Sequence, residues 1–218
     1  MSVTNETPAR GVFVTFEGGE GSGKSTQIKL LAGRLARDGI EAIVTREPGG
    51  SLGAEILRHL ILSGVGKMLG PEAETLLFAA ARDDHVRAVI APSLARGQWV
   101  LCDRYVDASY AYQGGGRGQP EKRIAELERW ACDGIKPDLT LLLDLPVSTG
   151  RARAAGRGDA DRIEVEADAF FERVRGSYRQ RVLAEPSRFR TLDASQSPAL
   201  VLQAGTDALA ELLAGEER

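Results

Sequence analysis

The chain has 218 residues, 43% of them hydrophobic, enough for one well-buried domain without requiring a second. Its net charge of −3 and pI of about 5.6 provide no global basic field to draw it to nucleic acid or anionic lipid. Cys102 and Cys132 make no disulfide framework, and His59 and His85 lack zinc-site spacing, so the chain reads as a reduced, cytoplasmic protein.

In chain order, MSVTNETPAR (1–10) lacks the apolar run of a signal peptide and reads as a flexible tail, followed by a single domain over 11–218. GVFVTF (11–16) reads as a strand ending in glycine turns. Ile28, Leu31 and Leu35 then recur at helical spacing, with Gly39 a natural stop. IEAIVT (40–45) is a second strand, broken by REPGGS. Ser51 is a candidate N-cap for a helix through Leu62, and Pro71 suits the first turn of a long helix that Pro92 must end or bend.

QWVLCD (98–103) is a third strand, GGGRG (114–118) a flexible loop and EKRIAELERWAC (121–132) a helix closed by Gly134. PDLTLLLDL (137–145) is the strongest strand. Residues 146–156 read as helix, GRGDADR (156–162) as an Arg-rich turn, 166–185 as helix, RFRTLDA as a last strand and 198–214 as a last helix. No stretch approaches a membrane span. Alternating strands and helices, with several strands continuously apolar, imply a parallel sheet covered on both faces and ligands at the strands' carboxyl ends.

Gly18-x-x-x-x-Gly23-Lys24-Ser25 fits the P-loop pattern between a predicted strand and a predicted helix. Glycines let successive N–H groups turn inward around phosphate oxygens, and a helix beginning near Lys24 adds its positive end. Gly18, Gly19, Glu20, Gly21, Ser22, Gly23, Lys24, Ser25 and Thr26 are therefore the candidate nucleotide loop. Lys24 would reach the β- and γ-phosphates of ATP, and Ser25 would place its hydroxyl on Mg²⁺. A P-loop alone does not separate kinase, GTPase, motor and switch. A GTPase would need an N/T-K-x-D element, which none of the five lysines provides.

Asp103 ends a strand and can hold Mg²⁺ through water, or simply form a strand-end ion pair; Arg104 follows it. Arg46, Arg104, Arg151, Arg153, Arg157 and Arg162 all lie near predicted strand ends. A hydrolase needs one arginine finger at most, whereas several convergent arginines suit two phosphate-bearing ligands facing each other. An acceptor phosphate is already largely dianionic near neutrality, so it needs no strong general base. The alternatives left open are a deoxynucleoside kinase acting on a sugar hydroxyl, with Glu20 or Asp103 as base, and a non-catalytic nucleotide-binding module.

FVTFEGGEGSGKST, TREPGGS, LLFAAARDDH, DRYVDASYAYQGGGRG, PDLTLLLDLP and GRGDADRIE, in this order, resemble thymidylate kinase from about residue 11 to the C-terminal helix. The resemblance implies a P-loop NTPase fold with a five-stranded parallel sheet and helices on both faces. It implies transfer of the ATP γ-phosphate to dTMP, giving dTDP and ADP, usually by a homodimer. By the same resemblance, Glu20 faces the deoxyribose, and Arg46, Pro48 and Arg104 belong to the acceptor phosphate and its loop. Phe78 stacks on thymine, Arg82 reads the base edge, and Tyr112 and Gln113 line the sugar and base pocket. Some members carry an Arg where this chain has Gly21. Its absence resembles the bacterial subtype, in which a lid (here about 151–164) supplies the catalytic arginine: Arg157 first, Arg153 second, with Arg162 and Glu164 in the closing element.

Overall fold

The computed structural model describes residues 10–63, 68–155 and 163–216. Five strands form one fully parallel sheet in the order β2-β3-β1-β4-β5: β1 Phe13–Glu17, β2 Ala42–Arg46, β3 Trp99–Asp103, β4 Leu139–Asp144 and β5 Phe189–Asp193. Every strand expected from the sequence is present, with ends displaced by at most two residues.

The strands' side chains alternate between two cores, as the period of two demands. Val14, Phe16, Leu101, Leu141 and Leu143 face α1 (Lys24–Arg37) and α9 (Pro198–Glu216). Phe13, Val100 and Cys102 face the opposite layer, including Val86, Ile90 and Leu94. Thr15 and Thr140 are fully buried but satisfy each other through a 2.9 Å hydroxyl hydrogen bond.

α2 (Leu52–Leu62) is capped as expected: Ser51 Oγ accepts from the Ala54 N–H, and Asp84 accepts from both Ser51 Oγ and the same N–H. The long helix begins at Pro71 as α3 (Pro71–His85), passes through a π-helical turn over Val86–Ile90 and ends as α4 (Ala91–Ala95). The π turn accommodates Pro92. The Ala91 N–H reaches back five residues to the Val86 carbonyl, leaving the proline in the first turn of α4, where its missing N–H is harmless.

Arg10, the last residue of the expected tail, pairs with Asp138 at 2.8 Å; residues 1–9 lie outside the described residues. One expectation needs correction. GGGRG is helical over its first three residues: α5 (Val106–Ser109) runs directly into a π-helical stretch over Tyr110–Gly116, and only Arg117 and Gly118 form the turn. Its glycines serve close packing. A Cβ on Gly116 would lie 2.5 Å from the Phe170 ring, and one on Gly115 would lie 2.9 Å from the Arg173 carbonyl, both on α8 (Asp168–Ala184). The predicted helices at 121–132 and 146–156 appear as α6 (Glu121–Cys132) and α7 (Val147–Ala154).

The topology sets the site. β1 and β3 are neighbours, but the connection after β1 runs outward past β3 to β2 while the one after β3 runs back over β1 to β4, so the two leave in opposite directions. A crevice opens at the carboxyl ends of such strands. Phe16, Asp103 and Arg46 stand level across β1, β3 and β2, so the turns following all three strands converge.

Candidate active site

The loop after β1 curls through left-handed backbone at Gly18, Gly21 and Gly23 (φ 133°, 70° and 93°) before α1 begins at Lys24. These angles favour glycine, and Gly21 has a second constraint. A Cβ there would come within 1.9 Å of the Gly150 carbonyl on α7, so no arginine fits at this position without moving the helix. The loop's lack of an Arg thus has a steric basis.

Lys24 is buried, and its Nζ donates to the Gly18 and Gly19 carbonyls, both at 3.0 Å. Burial, then the neighbouring Arg104 charge, hold its pKa below the ordinary lysine range. The ammonium therefore sits inside its own loop, undersupplied with negative charge. Ser25 Oγ donates to Asp103 Oδ2 at 3.1 Å. A hydroxyl and a carboxylate this close form a donor set suited to Mg²⁺, which takes few protein ligands and completes its shell with water and phosphate oxygens.

One cleft of about 210 Å³ joins this loop to the expected acceptor residues. Glu20, Gly21, Gly23, Lys24 and Ser25 line it together with Arg46, Pro48, Phe78, Arg82, Asp103, Arg104, Tyr112 and Gln113. Arg104 is its electrostatic centre. Its guanidinium donates to Glu20 Oε1 at 2.5 Å, the Gly18 carbonyl at 2.8 Å and the Tyr178 hydroxyl at 3.2 Å, and stacks 4.8 Å above the Tyr112 ring. Burial works against its charge, but Tyr112 and Glu20 outweigh that and raise its pKa. Tyr112 also donates to Glu20 Oε1, at 3.0 Å.

Arg82 is buried and clamped: Nε donates to Glu47 at 2.7 Å, Nη1 to Ser109 Oγ at 3.0 Å and Nη2 to the Tyr105 carbonyl at 3.1 Å. Glu47 also meets His85 Nδ1 at 3.1 Å, and His85 Nε2 meets Thr45 Oγ1 at 2.7 Å. Phe78 packs at the edge of a third apolar cluster containing Tyr112 and Phe170. Gln113 donates to Glu74 at 3.3 Å. Arg46 is half exposed and paired with Glu55 at 2.8 Å, and the neighbouring Pro48 follows a cis peptide.

The lid arginines divide. Arg153 is not brought to the cleft: α7 turns its guanidinium to the Ala194 carbonyl at the end of β5, 2.8 Å away. Arg151 donates to the Glu166 carbonyl and pairs with Asp168. Arg157 and Arg162 lie outside the described residues, while Ile163 and Glu164 line the cleft. The sequence reading missed Glu47, Arg58, Tyr178 and Glu17. Only Glu17 left a signal, as a carboxylate directly after the mostly apolar run GVFVTF.

A nucleotide loop at the switch point of a five-stranded parallel sheet, opening into a cationic and aromatic cleft, defines a P-loop NTPase. The sequence pattern described as thymidylate kinase matches residues 16–204. The thymidylate kinase of Bradyrhizobium sp. strain ORS 278 is 54% identical over 210 residues, covering 94% of this chain and 92% of that one. That of Afipia carboxidovorans is 55% identical over 201 residues (91% and 88%), and that of Pseudomonas savastanoi pv. phaseolicola 50% over 199 (91% and 94%). The chain belongs to the thymidylate kinase family.

Proposed function

We propose that this chain transfers the γ-phosphoryl group of ATP to dTMP, releasing dTDP and ADP. The observation that carries the reading is the single cleft in which Lys24 and Ser25 stand opposite Arg104, Phe78, Arg82, Tyr112 and Gln113. Phosphoryl transfer needs positioning and charge neutralisation rather than covalent help. Lys24 exchanges the Gly18 and Gly19 carbonyls for phosphate oxygens, which relieves its undersupplied charge. Arg104 and Arg46 hold the acceptor phosphate, exchanging Glu20 and Glu55 for it. Phe78 and Arg82 seat the base, and Tyr112 and Glu20 bound the sugar. Ser25 and Asp103 would hold Mg²⁺, which would supply neutralising charge on the donor phosphates.

A sugar-hydroxyl acceptor fits less well. Glu20 is paired with Arg104 and Tyr112, and Asp103 accepts from Ser25, so neither carboxylate is set up as a base. A coupled ADP assay tests this: turnover is expected with dTMP and not with thymidine. The reverse result assigns a nucleoside kinase. In the same assay Arg157→Ala is expected to abolish turnover while sparing ATP binding; unchanged turnover moves the catalytic arginine elsewhere.

A homodimer is part of this reading. It is supported by exposed Leu52 and Ile56, one turn apart on α2, and exposed Leu76 on the adjacent α3. Light scattering giving the mass of a single chain would refute it. A cytoplasmic location suits a nucleotide-biosynthetic enzyme with two unpaired buried cysteines; recovery in an extracytoplasmic fraction would overturn it.

A further inference from the structure

We propose that Glu17 and Tyr178 are a positioning pair that fixes Arg104, an inference that rests on the acceptor-phosphate role given to Arg104 above. Arg104 has a left-handed backbone, φ 71°, which a non-glycine residue holds only where its surroundings over-determine it. Two ties surround that bend. The Arg104 N–H donates to the Phe16 carbonyl at 3.0 Å. The next N–H, on Tyr105, donates to Glu17 Oε1 at 2.7 Å.

The other oxygen of the same carboxyl holds the guanidinium. Tyr178 donates its hydroxyl to Glu17 Oε2 at 2.7 Å and accepts from Arg104 Nη1 at 3.2 Å. One side chain thus fixes the backbone just after Arg104 and, through a single intermediary, its charged tip. Glu17 is wholly enclosed and absent from the cleft lining, so it has no route to the reacting atoms; Tyr178 is equally enclosed, on α8. Their effect on transfer runs through Arg104. The pair also spans the fold, joining the end of β1 to a helix 161 residues away.

Tyr178→Phe removes only the hydroxyl and leaves the edge-on ring contact with Tyr112. It is expected to lower kcat with dTMP roughly 10- to 100-fold, the effect of misplacing a charge-neutralising group, with KM for ATP unchanged. The discriminating measurement repeats the substitution in an Arg104→Ala background. A pair acting through Arg104 leaves residual turnover unmoved there, whereas a general structural role lowers it by the same factor in both backgrounds and overturns the proposal. Nitrogen NMR of the Arg104 guanidinium provides a readout without turnover. Rotation is expected to be slow in the wild type and fast in Tyr178→Phe; unchanged rotation defeats the pairing whether or not dTMP proves to be the acceptor. A wild-type chain that leaves dTMP unphosphorylated removes the functional reading instead.

Discussion

Lys24 shows how the site stores energy at a single residue. Its ammonium is buried among glycines, with two carbonyls as partners and the Arg104 guanidinium nearby, so its charged form is disfavoured until phosphate arrives. Isolated buried charge destabilises a fold, and replacing it with an apolar residue of similar length is often neutral or stabilising. Lys24→Met is therefore expected to hold or raise the melting temperature of the nucleotide-free protein while cutting turnover by about 10²–10³-fold, the effect of losing one preorganised charge. Differential scanning fluorimetry beside the coupled assay checks both. A melting point lowered by several degrees would mean that the two carbonyl bonds outweigh the desolvation of the ammonium.

At the scale of elements, the P-loop depends on α7 behind it. A Cβ on Gly150 would stand 2.3 Å from the Glu20 carbonyl, backbone against backbone, with no flexible side chain to yield. Gly150→Ala must therefore displace the loop or the helix. It is expected to raise KM for ATP and lower kcat, each roughly tenfold. Gly176→Ala in α8 is the control: among the described residues nothing lies within 4 Å of its Cβ, and it should be neutral or stabilising by about 0.4–1 kcal/mol. Equal kinetics for the two variants would show that the P-loop does not need this contact. Such close approaches also mark what the sequence reveals and what it hides. The strands were legible because their apolar runs alternate with helical periodicity, and the loop before Lys24 because its glycines follow a fixed spacing. GGGRG misled because glycine is equally the residue of flexible turns and of tight helix packing. What separates the two is Phe170, more than 50 residues away in sequence. The partners of the cationic residues were hidden for the same reason: Glu47 for Arg82, Tyr178 for Arg104 and Ala194 for Arg153 meet only after the sheet is assembled.

For the whole molecule, two groups of carboxylates pull stability in opposite directions with pH. Glu17 is buried at the centre of the sheet. Desolvation, reinforced by the Asp107 charge, pushes its pKa up to about 8 despite donors from Tyr178 and Tyr105. Glu185 is the reverse case. It joins α8 to the start of β5, and its hydrogen bond from Arg188, with the charges of Arg188 and Arg181, brings it down to about 2. Asp144, at the end of β4, loses something to desolvation, but Arg175 and Arg179 still hold it below the usual carboxylate range. A folded-state pKa above the unfolded value stabilises at low pH, and that contribution is lost as pH rises through the folded pKa; a depressed one does the opposite. The stability difference between the wild type and Glu17→Gln is therefore expected to be constant below about pH 4.5. It should then shift steadily against the wild type up to about pH 8 and level off. The difference between the wild type and Glu185→Gln should move the other way, favouring the wild type above about pH 4.5 and fading as pH falls towards 2. Urea titrations of the three proteins across pH 3–9 measure both curves. A flat Glu17→Gln difference between pH 5 and 8 would mean that Tyr178 and Tyr105 stabilise the charged carboxylate as well as water does, which would leave Arg104 anchored to a permanent negative charge at every working pH.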